Sequence, residues 1–167
     1  MASKNEFFIS REFNAPRKLL FDAFTKAEHL EKWWGPKGSK IEILQLDVKA
    51  GGTFHYKLTF PDATSLCAKF VYREITRPEK IICVTSFTDE KGNSIPTPFP
   101  IKFPLEVLNT WTFAETNGKT KITLHASALK GTAEEYRGFV DLFSSMEQGF
   151  GGSFDQLDEH IKSLITI

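Results

Sequence analysis

Eight apolar residues near the end of the chain, Phe139, Phe143, Met146, Phe150, Phe154, Leu157, Ile161 and Leu164, advance by steps of three or four. That is the repeat of an α-helix with one apolar face. Glu147, Gln148, Asp155, Asp158, Glu159 and Lys162 fall on the opposite side. The pattern predicts a single helix of about 30 residues. Its start is marked in Gly131-Thr132-Ala133-Glu134-Glu135, where Thr132 serves as N-cap and Glu135 completes a capping box. A helix that is oily on one side must press that side against something apolar.

The partner is a sheet. Phe54, Tyr56, Leu58 and Phe60 alternate with His55, Lys57 and Thr59, and Leu66, Ala68, Phe70 and Tyr72 alternate with Cys67, Lys69, Val71 and Arg73. A period of two is the signature of a strand with one buried face. Further strands are predicted over residues 6–14, around Ile41 to Val48, and over Ile81 to Phe87, Glu106 to Glu115 and Lys119 to Ser127. The last two flank Thr116-Asn117-Gly118, a hairpin turn in which Asn and Gly tolerate positive φ. Pro96, Pro98, Pro100 and Pro104 make residues 94–104 a structured loop rather than a strand. Two short helices follow the first strand. One opens at Ala15-Pro16-Arg17, with Pro near the first turn where its missing N–H does little harm. The other runs from about Lys26 to Trp34 and is stopped by Gly35-Pro36-Lys37-Gly38.

Strands joined by short turns are mostly antiparallel. The order therefore gives an α+β fold, a curved antiparallel sheet of about six or seven strands around the long C-terminal helix. A chain of 167 residues suits a single domain spanning residues 1–167. Sixteen Phe, against three Trp and three Tyr, can line a large dry interior or fill a bulky core. Three glycines in the final helix, Gly149, Gly151 and Gly152, each cost about 1 kcal/mol relative to Ala. They fit close approach to a strand or to the Trp33-Trp34 turn, a bend that shapes a cavity, or a locally weak helix.

Composition excludes several functions. Twenty-one basic and 21 acidic residues balance, so the excess positive charge needed to grip nucleic acid or anionic lipid is missing. No stretch suits insertion into a membrane, and Met1 to Glu6 lacks the apolar core of a signal peptide. Cys67 and Cys83 read as isolated thiols of a reducing, cytoplasmic compartment, with a bridge between them still open. No His, Cys, Asp and Glu cluster has metal-ligand spacing, and no nucleophile elbow, P-loop or dinucleotide fingerprint occurs. No metal, cofactor or catalytic residue is therefore assigned. Parity turns His55, His125 and Glu106 outward, leaving His29 on an exposed helix and His160 near the C-terminus.

Several segments are similar to a known family. Phe13-Asn14-Ala15-Pro16-Arg17, Phe21-Asp22-Ala23-Phe24-Thr25 and Trp33-Trp34-Gly35-Pro36 resemble the opening of the START-like, or SRPBCC, superfamily. The resemblance is to the branch named after the C-terminal domain of the activator of Hsp90 ATPase. Gly51-Gly52-Thr53-Phe54, Arg73-Glu74-Ile75 with Pro78-Glu79-Lys80-Ile81, Thr120-Lys121-Ile122-Thr123-Leu124 and Gln148 to Leu157 resemble its later motifs. The resemblance spans about residues 6–164 and implies a helix-grip fold enclosing an apolar cavity. It also implies a small hydrophobic ligand, an Hsp90-type chaperone as partner with a role in stress response, or a cyclase- or hydrolase-type activity. The chain departs from the family pattern at Phe70 and Ala126, where relatives often carry Gly and His, and at Phe150, which stands for the usual Trp. Phe70 is expected to shrink the cavity.

The leading expectation is noncatalytic binding of a small hydrophobic molecule between sheet and C-terminal helix. The candidate lining is Trp34, Phe54, Tyr56, Phe70, Tyr72, Thr85, Trp111, Phe139, Phe143, Met146 and Phe150. Tyr and Trp pair an apolar body with one polar tip, which suits orienting an oily ligand; the same residues also suit an ordinary aromatic core. Asn109 is a further polar candidate. Trp33 and Trp34, about 100° apart on a helix, are expected to diverge, one inward and one at the surface.

Overall fold

A computed structural model describes residues 5–165. The reading of Met1 to Lys4 as part of a chain start without a signal peptide lies outside the described residues. The element order is β1 (Glu6–Phe13), α1 (Arg17–Thr25), α2 (Ala27–Trp33), β2 (Lys40–Leu46), β3 (Thr53–Thr59), β4 (Ser65–Thr76), β5 (Lys80–Thr88), β6 (Glu106–Thr116), β7 (Lys119–Lys130), α3 (Ala133–Asp141) and α4 (Phe143–Ile165). The seven strands form one antiparallel sheet in the order β1-β7-β6-β5-β4-β3-β2. This is the helix-grip α+β architecture the sequence predicts.

The sheet is a meander from β2 to β7, with β1 returned to pair with β7. The β6–β7 hairpin turns on Asn117 at φ 53° and Gly118 at φ 77°, the positive values that its Asn-Gly sequence supplies. Alternation holds along β6, where Val107, Asn109, Trp111 and Phe113 are buried. The buried faces of β1, β3, β4, β6 and β7 meet α1, α2 and α4 in one continuous core.

The predicted single C-terminal helix is two helices. Leu142, at φ −93° and ψ 1°, interrupts the hydrogen-bond ladder between α3 and α4. The apolar stripe crosses the break, with Phe139 and Phe143 ring to ring at 5.1 Å. The two helices have different neighbours. On α3, a Cβ placed at Gly138 would lie 1.9 Å from the Lys102 carbonyl, so glycine lets this helix abut the 94–105 strap. α4 instead lies along β1 and α2. The capping box of Thr132 and Glu135 is formed at the start of α3.

Of the roles the sequence leaves open for the other helical glycines, close approach to a strand is not the one they take. Nothing lies within 4 Å of a Cβ built at Gly149 or Gly151, and Gly152 meets only the Lys37 side chain at ordinary contact distance. α4 is fastened to the Trp33-Trp34 turn by its polar residues. Ser153 donates to the Gly35 carbonyl at 2.9 Å, and Gln156 donates to the carbonyls of Gly35 and Trp33 at 2.8 and 3.2 Å.

Both tryptophans of the turn point inward. Helix α2 ends at Trp33, and Trp34 is extended at ψ 131°, so helical spacing does not separate them. Trp33 is buried and donates its indole N–H to the Ala23 carbonyl at 2.8 Å. Trp34 is half-buried, packed edge-on against Phe70 at 5.3 Å. His55 sits on the outer face of the sheet, as parity predicts, yet is only 5% exposed. The turn containing Gly92 folds over it, and its Nε2 lies 2.9 Å from the Thr88 hydroxyl. His29 is likewise half-buried, its Nδ1 2.8 Å from Nε2 of His160. Cys67 and Cys83 are both buried and free. Cys83 is registered with Tyr72 and Cys67 with Thr88, which puts the two on opposite faces of the sheet.

Candidate functional site

Two clefts separate α4 from the sheet. The first, about 210 Å³, opens between the Trp34-Gly35-Pro36 turn, Tyr56 and Leu58 of β3, and Met146, Gly149, Phe150 and Ser153 of α4. The second, about 230 Å³, lies between Ala68, Thr85, Val107 and Asn109 of the sheet, Phe103 and Pro104 of the strap, Phe139 of α3, and Met146 and Phe150. Tyr56, Met146 and Phe150 front both. Larger grooves of about 320 and 400 Å³ run along α3 and carry Lys102, Glu134, Arg137, Lys130 and Glu135.

The clefts arise because the sheet and helix make contact unevenly. Toward its C-terminal end α4 buries Phe154, Leu157 and Ile161 completely. Toward its N-terminal end Phe143, Met146 and Phe150 remain half-buried, and Gly149 presents no side chain to fill the gap. The strap closes the far side. Phe103 packs edge-on against Phe87 at 6.1 Å and against Phe139 at 5.7 Å.

Six of the eleven residues singled out in the sequence line these clefts: Trp34, Tyr56, Thr85, Phe139, Met146 and Phe150. Phe54, Phe70, Tyr72 and Trp111 are buried beneath them, and Phe143 packs on Phe7 at 5.5 Å. Phe70 occupies the middle of the interior, within 5.3 Å of Phe54 and 6.3 Å of Tyr72. The interior is thus solid at its centre and hollow along the edge beside Met146. Missed by the sequence were Phe103 and Pro104, whose strap shows no periodicity, and Gly35 and Ser153, which carry no apolar signal; Gly149 was singled out there as a candidate shaper of a cavity.

The polar groups here are uncharged. Asn109 donates its amide to the Thr85 hydroxyl at 2.8 Å and to the Val107 carbonyl at 3.2 Å. Burial pushes the Tyr56 hydroxyl up to about 12, and the Trp34 side chain beside it offsets only part of that rise. Burial also raises the Cys83 thiol and the Tyr72 hydroxyl, so all three stay protonated at neutral pH. The Tyr72 hydroxyl and the Trp111 indole nitrogen are sealed in without a hydrogen-bond partner. Among the described residues no group of three or more His, Cys, Asp or Glu is placed to hold a metal ion, and no helix is long and apolar enough to cross a membrane.

The fold recurs in solved structures. A solution structure from Staphylococcus epidermidis is 23% identical, with a TM-score of 0.78 over 98% of this chain and 93% of that one. A crystal structure from Nitrosomonas europaea is 18% identical, with a TM-score of 0.79 over the whole of both chains. A protein from Mycobacterium smegmatis is 24% identical, with a TM-score of 0.76 over 93% and 90%. These likenesses show the fold. A search of curated proteins finds no match. The family model described as "Activator of Hsp90 ATPase homolog 1-like protein" matches residues 14–162. The chain belongs to that family, within the START-like superfamily.

Proposed function

We propose, from that membership, that this protein is a noncatalytic receptor for a small hydrophobic molecule seated in the clefts between sheet and α4. The observation that carries it is the pair of adjoining apolar hollows, fronted in common by Tyr56, Met146 and Phe150 and lined by no charged side chain. Affinity would come from apolar area removed from water, at roughly 25 cal/mol per Å², less the cost of association. Free, buried thiols on opposite sheet faces support a reducing, cytoplasmic setting.

A thermal-shift screen of lipids, aromatics and polyketide-like compounds tests the proposal. A binder should raise the melting temperature by several degrees at saturating concentration. Met146→Trp, which fills the wall common to both clefts, should abolish that shift while the free protein stays folded. A screen without a single shift, or shifts that survive Met146→Trp, would refute it.

The family description favours a second reading, a surface-acting regulator of an Hsp90-type ATPase. Co-purification with such a chaperone and a change in its ATPase rate would establish that role. Enzymatic cyclase or hydrolase chemistry needs an acid or base beside the cleft; the lining holds no Asp, Glu, His, Lys or Cys, and its one titratable group, Tyr56, is pushed up to about 12.

A further inference from the structure

We propose that the occupant of the strap-side cleft is an uncharged molecule that donates one hydrogen bond, through a hydroxyl or N–H, to the carboxamide oxygen of Asn109. The inference rests on the ligand-binding reading above and narrows it to a chemical class.

The orientation of Asn109 follows from its partners. Its Nδ2 donates to the Val107 main-chain carbonyl at 3.2 Å and to the Thr85 hydroxyl at 2.8 Å. A carbonyl can only accept, so the amide nitrogen must face it. The Thr85 hydroxyl spends its own proton on the same Val107 carbonyl, at 3.4 Å. Both donors of the amide are therefore engaged, and Oδ1 is left without a partner. Asn109 is 7% exposed and lines the strap-side cleft. Oδ1 is not among the sealed-in polar atoms, which are the Tyr72 hydroxyl and the Trp111 indole nitrogen, so it is reachable from the cleft. A ligand without a donor would displace its water and leave it unpaired, whereas a ligand donor would satisfy it.

The rest of the lining sets the charge. Around Asn109 the cleft presents Thr85 and Tyr56 as its other hydrogen-bonding side chains, with hydrocarbon and aromatic surface elsewhere, the Ser86 hydroxyl being turned to Ser94 on the outer face. No Lys, Arg, His, Asp or Glu borders it. An ionised ligand would lose its water without gaining a countercharge. The unpartnered oxygen and the missing countercharge together select a neutral donor over a carboxylate or an ammonium group.

Isothermal titration at pH 7 with three probes tests this. Indole carries an N–H, benzofuran is its isostere without a donor, and indole-3-acetate is ionised. Indole should bind roughly two- to tenfold tighter than benzofuran. Indole-3-acetate should bind at least about tenfold more weakly than indole. Asn109→Leu should erase the preference for indole while leaving benzofuran within about twofold of its wild-type affinity. The wild-type comparison stands by itself if that variant does not fold. Equal binding of indole and benzofuran, or tight binding of indole-3-acetate, would overturn the inference and leave the receptor reading intact. Binding by none of the three would overturn the inference; the receptor reading falls too only if the broader screen also finds no binder.

Discussion

The two ends of α4 carry the same apolar repeat and do opposite things with it. Phe154, Leu157 and Ile161 are sealed, with Phe154 locked edge-on against Phe13 at 5.9 Å. One to two turns earlier, Met146 and Phe150 keep part of their surface open to the clefts. Periodicity fixes which side of a helix is apolar. How far that side sinks depends on what stands opposite, and here α2 and the Phe13 end of β1 close on one end while the strap and the Trp34 turn border the open space at the other.

The largest test of this contrast is truncation of each aromatic. Phe154→Ala should lower the unfolding free energy by about 3–5 kcal/mol, the usual cost of emptying a closed aromatic site. Phe150→Ala, already bordered by space, should lower it by only about 1–2 kcal/mol. Urea titrations with unchanged slopes would show both, and equal losses would erase the distinction between the two ends.

Gly149→Ala should move stability the other way, raising it by about 1 kcal/mol. The added methyl meets nothing within 4 Å, so a loss would mean the cleft wall is tighter than it looks. In the sealed region, Tyr72→Phe removes a hydroxyl that has no partner. Its loss should leave stability unchanged or raise it by up to about 1 kcal/mol, read from the same titrations.

The smallest effect concerns pH. Burial, and then the neighbouring His29 and Lys32, lower the pKa of His160 below its usual value. Between that lowered value and about 6.5 the unfolded chain binds more protons than the folded one, so stability falls as pH drops through this window. Above it the contribution is complete. His160→Gln should flatten the slope between pH 7.5 and pH 5.5 in urea midpoints; an unchanged slope would show that the pair with His29 carries no such linkage.

Most of the architecture was legible before any coordinates. Alternation placed the strands, Asn117-Gly118 fixed the last hairpin, and Thr132 with Glu135 marked the helix start. These are local signals, written in adjacent residues. The break at Leu142 was hidden because the apolar stripe runs through it without a gap, Phe139 and Phe143 remaining in contact across it. Trp34 was misjudged because helical spacing was extended one residue past the helix end. His55 was assigned the correct face, but the turn that covers it comes from Gly92, far along the chain. The clefts were least legible. Parity says which side chains share a face, whereas a cavity is what those side chains fail to fill, and Phe70 with Trp111 fills the part that seemed most promising.

Among the described strands β1 is made first, yet its one neighbour in the sheet they form is β7, more than a hundred residues downstream. At ordinary translation speeds β1 then waits roughly five to twenty seconds for its partner to be made. Throughout that interval Phe7 and Phe13 have neither sheet nor α4 to shelter them, and the strand's own amides are open to any other extended peptide. A nascent chain arrested before Lys119 holds every ingredient of the meander except the strand that would close it over its own beginning.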